Sequence, residues 1–200
     1  MVVLSARAII LPFALVPCII GLVVLLVPVI WAIANYNVLV RLRQHCRESW
    51  SVIDTELRRR YDLIPNLVET VRGYAAHERT VLQAVTDARN RALASTGSPG
   101  SQAADENALV GTLKTLFAVS ESYPQLKASA NFLALQKELA NTEDRIQAAR
   151  RFYNANIRDL NTRIQVFPSS LIASVFHFAP EEYFEIDSAG VRLPVPVNLS

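Results

Sequence analysis

The hydrophobic pattern divides the chain into an unbroken apolar run followed by amphipathic helices. From Ala8 to Ala34 no residue is charged, and only Pro12, Pro17, Gly21 and Pro28 interrupt the run. As a helix it would reach roughly 40 Å, while a hydrocarbon core of about 30 Å takes about 20 residues, so it can span with tilt to spare. Membrane helices tolerate prolines through local adjustment. Trp31 and Tyr36 stand where an interfacial aromatic belt would lie. Ala32-Ile33-Ala34 has the A-x-A form of a cleavage site, which competes as a cleaved signal. The apolar run is well beyond the roughly 7–15 residues of a signal core, which favours a retained anchor. Leu15-Val16-Pro17-Cys18 falls short of a lipoprotein box, because proline holds the place of the expected small residue. Cys18 then reads as a small apolar residue in the bilayer. Arg7 alone precedes the run, whereas Arg41, Arg43, Arg47, Arg58, Arg59 and Arg60 follow it, so the C-terminal side is expected to be cytoplasmic.

Beyond residue 35 the periodicity is helical. A first helix is predicted from about Tyr36 to Arg60, with Leu39, Leu42, Cys46, Trp50, Ile53 and Leu57 on one face. Asp62 and Pro65 mark its end, since proline disfavours helical backbone in the residue before it and suits a first turn. A second helix follows to about Ala94, with Leu67, Val68, Val71, Ala75, Leu82 and Val85 as its buried stripe. Residues 95–101 form a Ser/Gly/Pro loop. A third helix covers about Ala103 to Ser122, with Leu109, Leu113, Leu116 and Phe117, and Tyr123-Pro124 breaks it. A fourth runs from about Gln125 to Val166. Its seam is Ala128, Phe132, Leu135, Leu139, Thr142, Ile146, Ala149, Tyr153, Asn156 and Leu160, spaced four and three alternately as in a bundle or coiled coil. Thr142 and Asn156 are the polar seam positions that would set register. Phe167-Pro168 ends the helix.

The fold class is therefore all-α, an N-terminal transmembrane helix followed by an antiparallel four-helix bundle with long helices. Residues 1–35 form the anchor, 36–185 the bundle and 186–200 a disordered tail. If the breaks near Pro65, Gly97 and Pro124 all reverse the chain, Phe167 returns to the membrane end. The uncharged segment from Phe167 to Phe178 would then either lay its rings in the interface or cap the bundle core.

Charge and chemistry narrow the function. Lys+Arg 20 against Asp+Glu 18 gives a net charge of only +2, which argues against a nucleic-acid partner. With 51% hydrophobic and 19% charged residues the chain is too apolar to be disordered. Asp54/Arg58, Glu56/Arg60, Asp87/Arg91 and Asp159/Arg163 are i,i+4 pairs with the acid leading, and Arg58-Arg59-Arg60 reads as a solvated helix end. His77-Glu78 begins like a zincin helix, but Val81 occupies the second histidine position, so no metal site is expected. Gly97-Ser98-Pro99-Gly100 lacks the lysine of a phosphate loop, and there is no GxSxG or GxGxxG. Glu143-Asp144 beside Arg145 reads as salt-bridging. No cofactor and no enzyme activity are expected.

Motifs in order make a family resemblance. They are Tyr36-Asn37, Leu39-Val40, Trp50, Asp54, and Arg59-Arg60-Tyr61-Asp62-Leu63-Ile64-Pro65-Asn66-Leu67-Val68. Gly73-Tyr74, His77-Glu78, Ala88-Arg89, Tyr123-Pro124, Leu126-Lys127-Ala128, Phe132, Leu135-Gln136 and Thr142-Glu143 follow. Ala149-Arg150, Tyr153-Asn154, Asn161, Phe167-Pro168-Ser169, Leu171-Ile172-Ala173, Phe176, Phe178 and Tyr183-Phe184-Glu185 complete the series. Over about residues 36–185 the chain resembles the LemA family of bacterial membrane proteins. The resemblance implies an antiparallel helical bundle behind an N-terminal membrane segment. It assigns no reaction, and it marks Asp62, Pro65, Asn66, His77, Glu78, Tyr123, Pro124, Lys127, Phe167 and Pro168 as motif positions without a role. Some relatives carry a lipoprotein cysteine before Tyr-Asn; this chain has Asn35 there, so lipidation is not implied. Relatives occur beside membrane-protease genes and on specialised bacterial membranes. The leading expectation is a non-enzymatic, membrane-anchored scaffold or adaptor contacting itself, lipid or another membrane protein such as a protease. The alternative is a membrane-bound hydrolase or protease regulatory subunit, with Asp62, Asn66, His77 and Glu78 lining a polar cleft.

Overall fold

The computed structural model describes residues 3–186, with side chains from Gly21 onward; the side chains of Pro12, Pro17 and Cys18, and the expected disordered tail beyond Ile186, lie outside the described residues. Every regular element among the described residues is a helix. The first, α1, runs unbroken from Val3 to Arg72, 70 residues, or about 105 Å at 1.5 Å per residue. The large apolar side chains between Leu22 and Ile33 are exposed, and from Asn35 onward the same helix enters the core through Leu39, Cys46, Ile53, Leu57, Ile64 and Leu67. Leu42 and Trp50, expected on that face, are half-buried.

The expected break at Pro65 is not there. Ile64, Leu67, Val68 and Val71 continue the buried stripe past it, and their burial outweighs the roughly 3 kcal/mol that an interior proline costs. Pro65 has no N–H for the carbonyl of Tyr61, four residues earlier. α2 (Arg79–Ala94) supplies the donor, because Arg89 Nε bonds that carbonyl at 3.2 Å. The reversal falls instead at Gly73–Glu78, where Ala75 N–H donates to Val71 at 2.8 Å and Ala75 is buried. The stripe expected on one second helix is thus buried as expected but shared by the end of α1 and by α2.

α3 spans Pro99–Ser120, starting earlier than expected because Ser98 Oγ caps it by accepting from Ser101 N–H and Pro99 takes the first turn. A single turn, α4 (Pro124–Lys127), precedes α5 (Ala130–Gln165), which Ser129 caps through Phe132 N–H. α6 (Ser169–Val175) follows, and an extended strap continues to Ile186.

α1 packs along α5, α2 packs against α3 and α1, and α6 packs against α5 and α1. Asn35, His45 and Arg59 of α1 meet Arg163, Asn156 and Glu138 of α5, so the two run antiparallel. At the far end the Tyr123 hydroxyl donates to Glu78 at 3.0 Å, tying the α3–α5 link to the α1–α2 link. The first reversal expected at Pro65 is thus moved to Gly73–Glu78, and the Arg163–Asn35 contact puts the end of α5, just before Phe167, where α1 leaves its apolar stretch.

On α5, Phe132, Leu139, Thr142, Ile146, Ala149, Tyr153 and Leu160 are buried. Ala128 precedes the helix and is exposed, and Leu135 and Asn156 are half-buried. Ile157 is buried beside Asn156, as expected of a straight helix that drifts about 20° per heptad. The Thr142 hydroxyl bonds Glu138 O on its own helix, so only Asn156, which donates to His45 O at 3.4 Å, crosses to a neighbour.

Candidate functional site

Arg60, expected in a solvated helix end, is fully buried, while Arg58 and Arg59 are exposed. Ile53, Leu57, Arg60, Ile64 and Leu67 share the buried stripe of α1, which is why the guanidinium points inward. It donates through Nη1 to Glu143 on α5 at 3.0 Å and through Nη2 to Glu106 on α3. The Tyr61 hydroxyl also donates to Glu106, and Gln147 Nε2 donates to Glu143 at 3.4 Å. Burial first, then the Glu106 carboxylate, pushes the Tyr61 hydroxyl well above its ordinary range. The helical pairing of Glu56 with Arg60 does not form; Glu56 meets Arg145 at 3.7 Å. Nor does Arg163 pair with Asp159, since it donates to Asn35 at 2.6 Å. Asp54 and Arg58 do pair, at 2.9 Å.

A second feature was invisible in periodicity. On α5, Asn154 pairs both amide atoms with the backbone of Phe184, at 3.0 and 3.1 Å, and Asn161 does the same with Glu181 at 2.9 Å. The Tyr153 hydroxyl donates to Glu182 O at 3.0 Å. These side chains give an extended segment the bonds a neighbouring strand would supply. They seat Phe184 in the core, edge-on to Trp50 at 5.1 Å. Ile186, assigned to the tail from sequence, is buried with it. Asparagines inside a helix, where propensity disfavours them, were the available signal.

Between the strap, the α2–α3 link and α1 lies a cleft of about 360 Å³, lined by Arg43, Cys46, Arg47, Trp50, Tyr153 and Glu181 among others. Burial, then Glu181 and Asp159, pushes the Cys46 thiol up to about 11. Burial, then Glu181, also raises the Tyr153 hydroxyl. A thiol held protonated at neutral pH is the reverse of an activated nucleophile. Among the described residues no three His, Cys, Asp or Glu side chains are grouped to hold a metal ion.

The motif positions scatter. Asp62, Pro65 and Asn66 lie on the exposed side of α1, and His77 is exposed in the α1–α2 link. Glu78 accepts from half-buried Tyr123, which raises the Tyr123 hydroxyl above its ordinary range. Pro124 starts α4, and exposed Lys127 pairs with Glu121. Phe167 and Pro168 are exposed at the α5–α6 corner. Asp62, Asn66, His77 and Glu78 make no hydrogen bond to one another among the described contacts; the one that bonds across the fold, Glu78, takes Tyr123.

Among the described residues these features define an all-helical protein with one N-terminal helix long and apolar enough to cross a membrane. The chain belongs to the LemA family, whose model matches residues 49–198. It is 25% identical to the magnetosome protein MamQ of Magnetospirillum gryphiswaldense and 26% identical to magnetosome protein MamQ 2 of Paramagnetospirillum magneticum, each over 181 residues covering 78% of this chain and 66% of the relative. Protein LemA of Metamycoplasma hominis is 25% identical over 171 residues, 80% of this chain and 77% of that protein. The chain thus spans just under two thirds of the MamQ relatives. None of these names states a reaction.

Proposed function

We propose that the protein is a non-enzymatic, membrane-anchored scaffold of the LemA type, a four-helix bundle of α1, α2, α3 and α5 held on the cytoplasmic face by the apolar part of α1. The observation that carries this reading is the continuity of α1 from exposed apolar residues into the packed core. A helix shared by anchor and core fixes how the bundle stands on the membrane and suits presentation of a surface to a second copy or to another membrane protein. The buried Arg60 cluster supports the same role, because it ties three helices in one register. The excess of arginine after the apolar run supports the cytoplasmic side.

Crosslinking in native membranes, followed by purification, tests the scaffold. A crosslinked homo-oligomer or a stoichiometric membrane-protein partner is expected, and a strictly monomeric, partnerless protein would count against it. Protease added to sealed, right-side-out spheroplasts should leave the bundle intact until the membrane is opened.

A further inference from the structure

We infer that the outward face of α6 is a second membrane contact, with Val166, Phe167, Leu171, Val175 and Phe176 lying in the interface of the bilayer that α1 crosses. The inference rests on the anchor reading above and adds a lipid-binding surface to it.

These five side chains are 52, 75, 57, 68 and 53% exposed; Leu171 and Val175 lie on α6, Val166 and Phe167 at the corner before it and Phe176 at its end. From Ile164 to Pro180 no residue carries a formal charge. Large apolar side chains exposed together over so short and uncharged a segment mark a partner or a membrane surface. The other face of α6 is occupied, since Ser169 and Ala173 are buried. At the end of α6, His177 adopts a left-handed φ of 54°, and Phe178 N–H returns to Ala173 O at 2.9 Å. That turn drives Phe178 into the core under the Arg43 guanidinium, 4.8 Å from the ring centre, and leaves Phe176 outside. Of the two outcomes expected for this segment, capping the core falls to its inner face, which leaves the outer face for the interface.

The level of the patch identifies its occupant. Arg163, just before it, bonds Asn35, and the Phe176 ring lies 4.7 Å from Tyr36. Asn35 and Tyr36 immediately follow the exposed apolar stretch that reaches Ile33. An apolar face beside the exit of a membrane span meets the headgroup and acyl boundary, where aromatic rings bury favourably. Arg41, exposed on α1 six residues past Asn35, is the nearby cation on the same helix.

Depth measurement on the full-length chain tests this. Val175→Cys, on a Cys18→Ser and Cys46→Ala background, is labelled with an environment-sensitive fluorophore. The protein is reconstituted in phosphatidylethanolamine–phosphatidylglycerol vesicles containing nitroxide lipid. Leu26→Cys reports the span and Ala76→Cys the far turn; Phe167→Cys repeats the measurement should Val175→Cys fail to fold. Quenching at positions 26 and 175 but not at 76 is expected. Quenching at 26 alone overturns the second contact while the anchor stands. A blue-shifted but unquenched label at 175 means that protein rather than lipid covers the face, and also overturns it. Absence of quenching at 26 removes the anchor reading and the inference together.

Discussion

At the scale of single residues, the decisive feature is that Arg60 breaks the rule that arginine marks a wet face. The periodicity placed Ile53 and Leu57 inward, and Arg60 continues the same stripe, so its position was legible while its burial was not. Charge alone suggested water, and only Glu106 and Glu143, remote in sequence, make burial affordable. Breaking a buried pair strands its partners, at a cost of about 3–5 kcal/mol. Arg60→Met should lose about that much in guanidinium denaturation in micelles. Adding Tyr61→Phe, Glu106→Leu and Glu143→Leu should restore most of it, because an apolar replacement of the whole group leaves no unpaired charge. Cys46 makes a second prediction. Its folded value near 11 lies above the about 8.5 of an unfolded thiol. The stability conferred by the protonated thiol is fully present below about pH 8.5 and is lost as pH rises through the folded value. In a Cys18→Ser background, iodoacetamide at pH 8 should modify the native protein far more slowly than the unfolded one, and equal rates would show an accessible thiolate.

Elements show where local rules yield to packing. The helical stripes were legible almost residue by residue, because burial follows a 3.6 period whatever the neighbours are. Boundaries were not: Pro65 carries every local mark of a helix start, yet α1 passes through it. What local reading lacked was Arg89, whose donor to the Tyr61 carbonyl comes from another helix. The pair can be separated by a mutant cycle. Pro65→Ala restores the amide and should stabilise by about 1–3 kcal/mol. Arg89→Met should cost about 1–2 kcal/mol in the native chain, by stranding a carbonyl. In the Pro65→Ala chain it should cost much less, giving a coupling of about 1 kcal/mol. Additive effects would mean that Arg89 serves only its other partner, Asn90. The strap escaped for the same reason: it has no period of its own, and it is held by Asn154 and Asn161 on α5.

For the whole molecule, the consequence of a continuous α1 is mechanical. A hinge at the boundary between anchor and bundle, near residue 35, would let the domain swing freely. The structure braces that boundary from both sides. Asn35 donates to Trp31 O at 2.9 Å and accepts from Arg163 at 2.6 Å, and Tyr36 packs against Phe176 and Phe178. The helix therefore leaves its apolar stretch already clamped by the returning end of α5, so anchor and bundle should turn as one rod. Spin labels at the exposed positions Leu26 and Arg58 bracket Pro28 and the boundary. At 1.5 Å per residue they should lie about 48 Å apart in lipid nanodiscs. Double electron–electron resonance should give one narrow distribution near that distance. Asn35→Ala with Tyr36→Ala should broaden it by removing the brace. A broad or much shorter distribution in the unmutated chain would place a hinge where the structure has a clamp, and the rigid mount would fail with it.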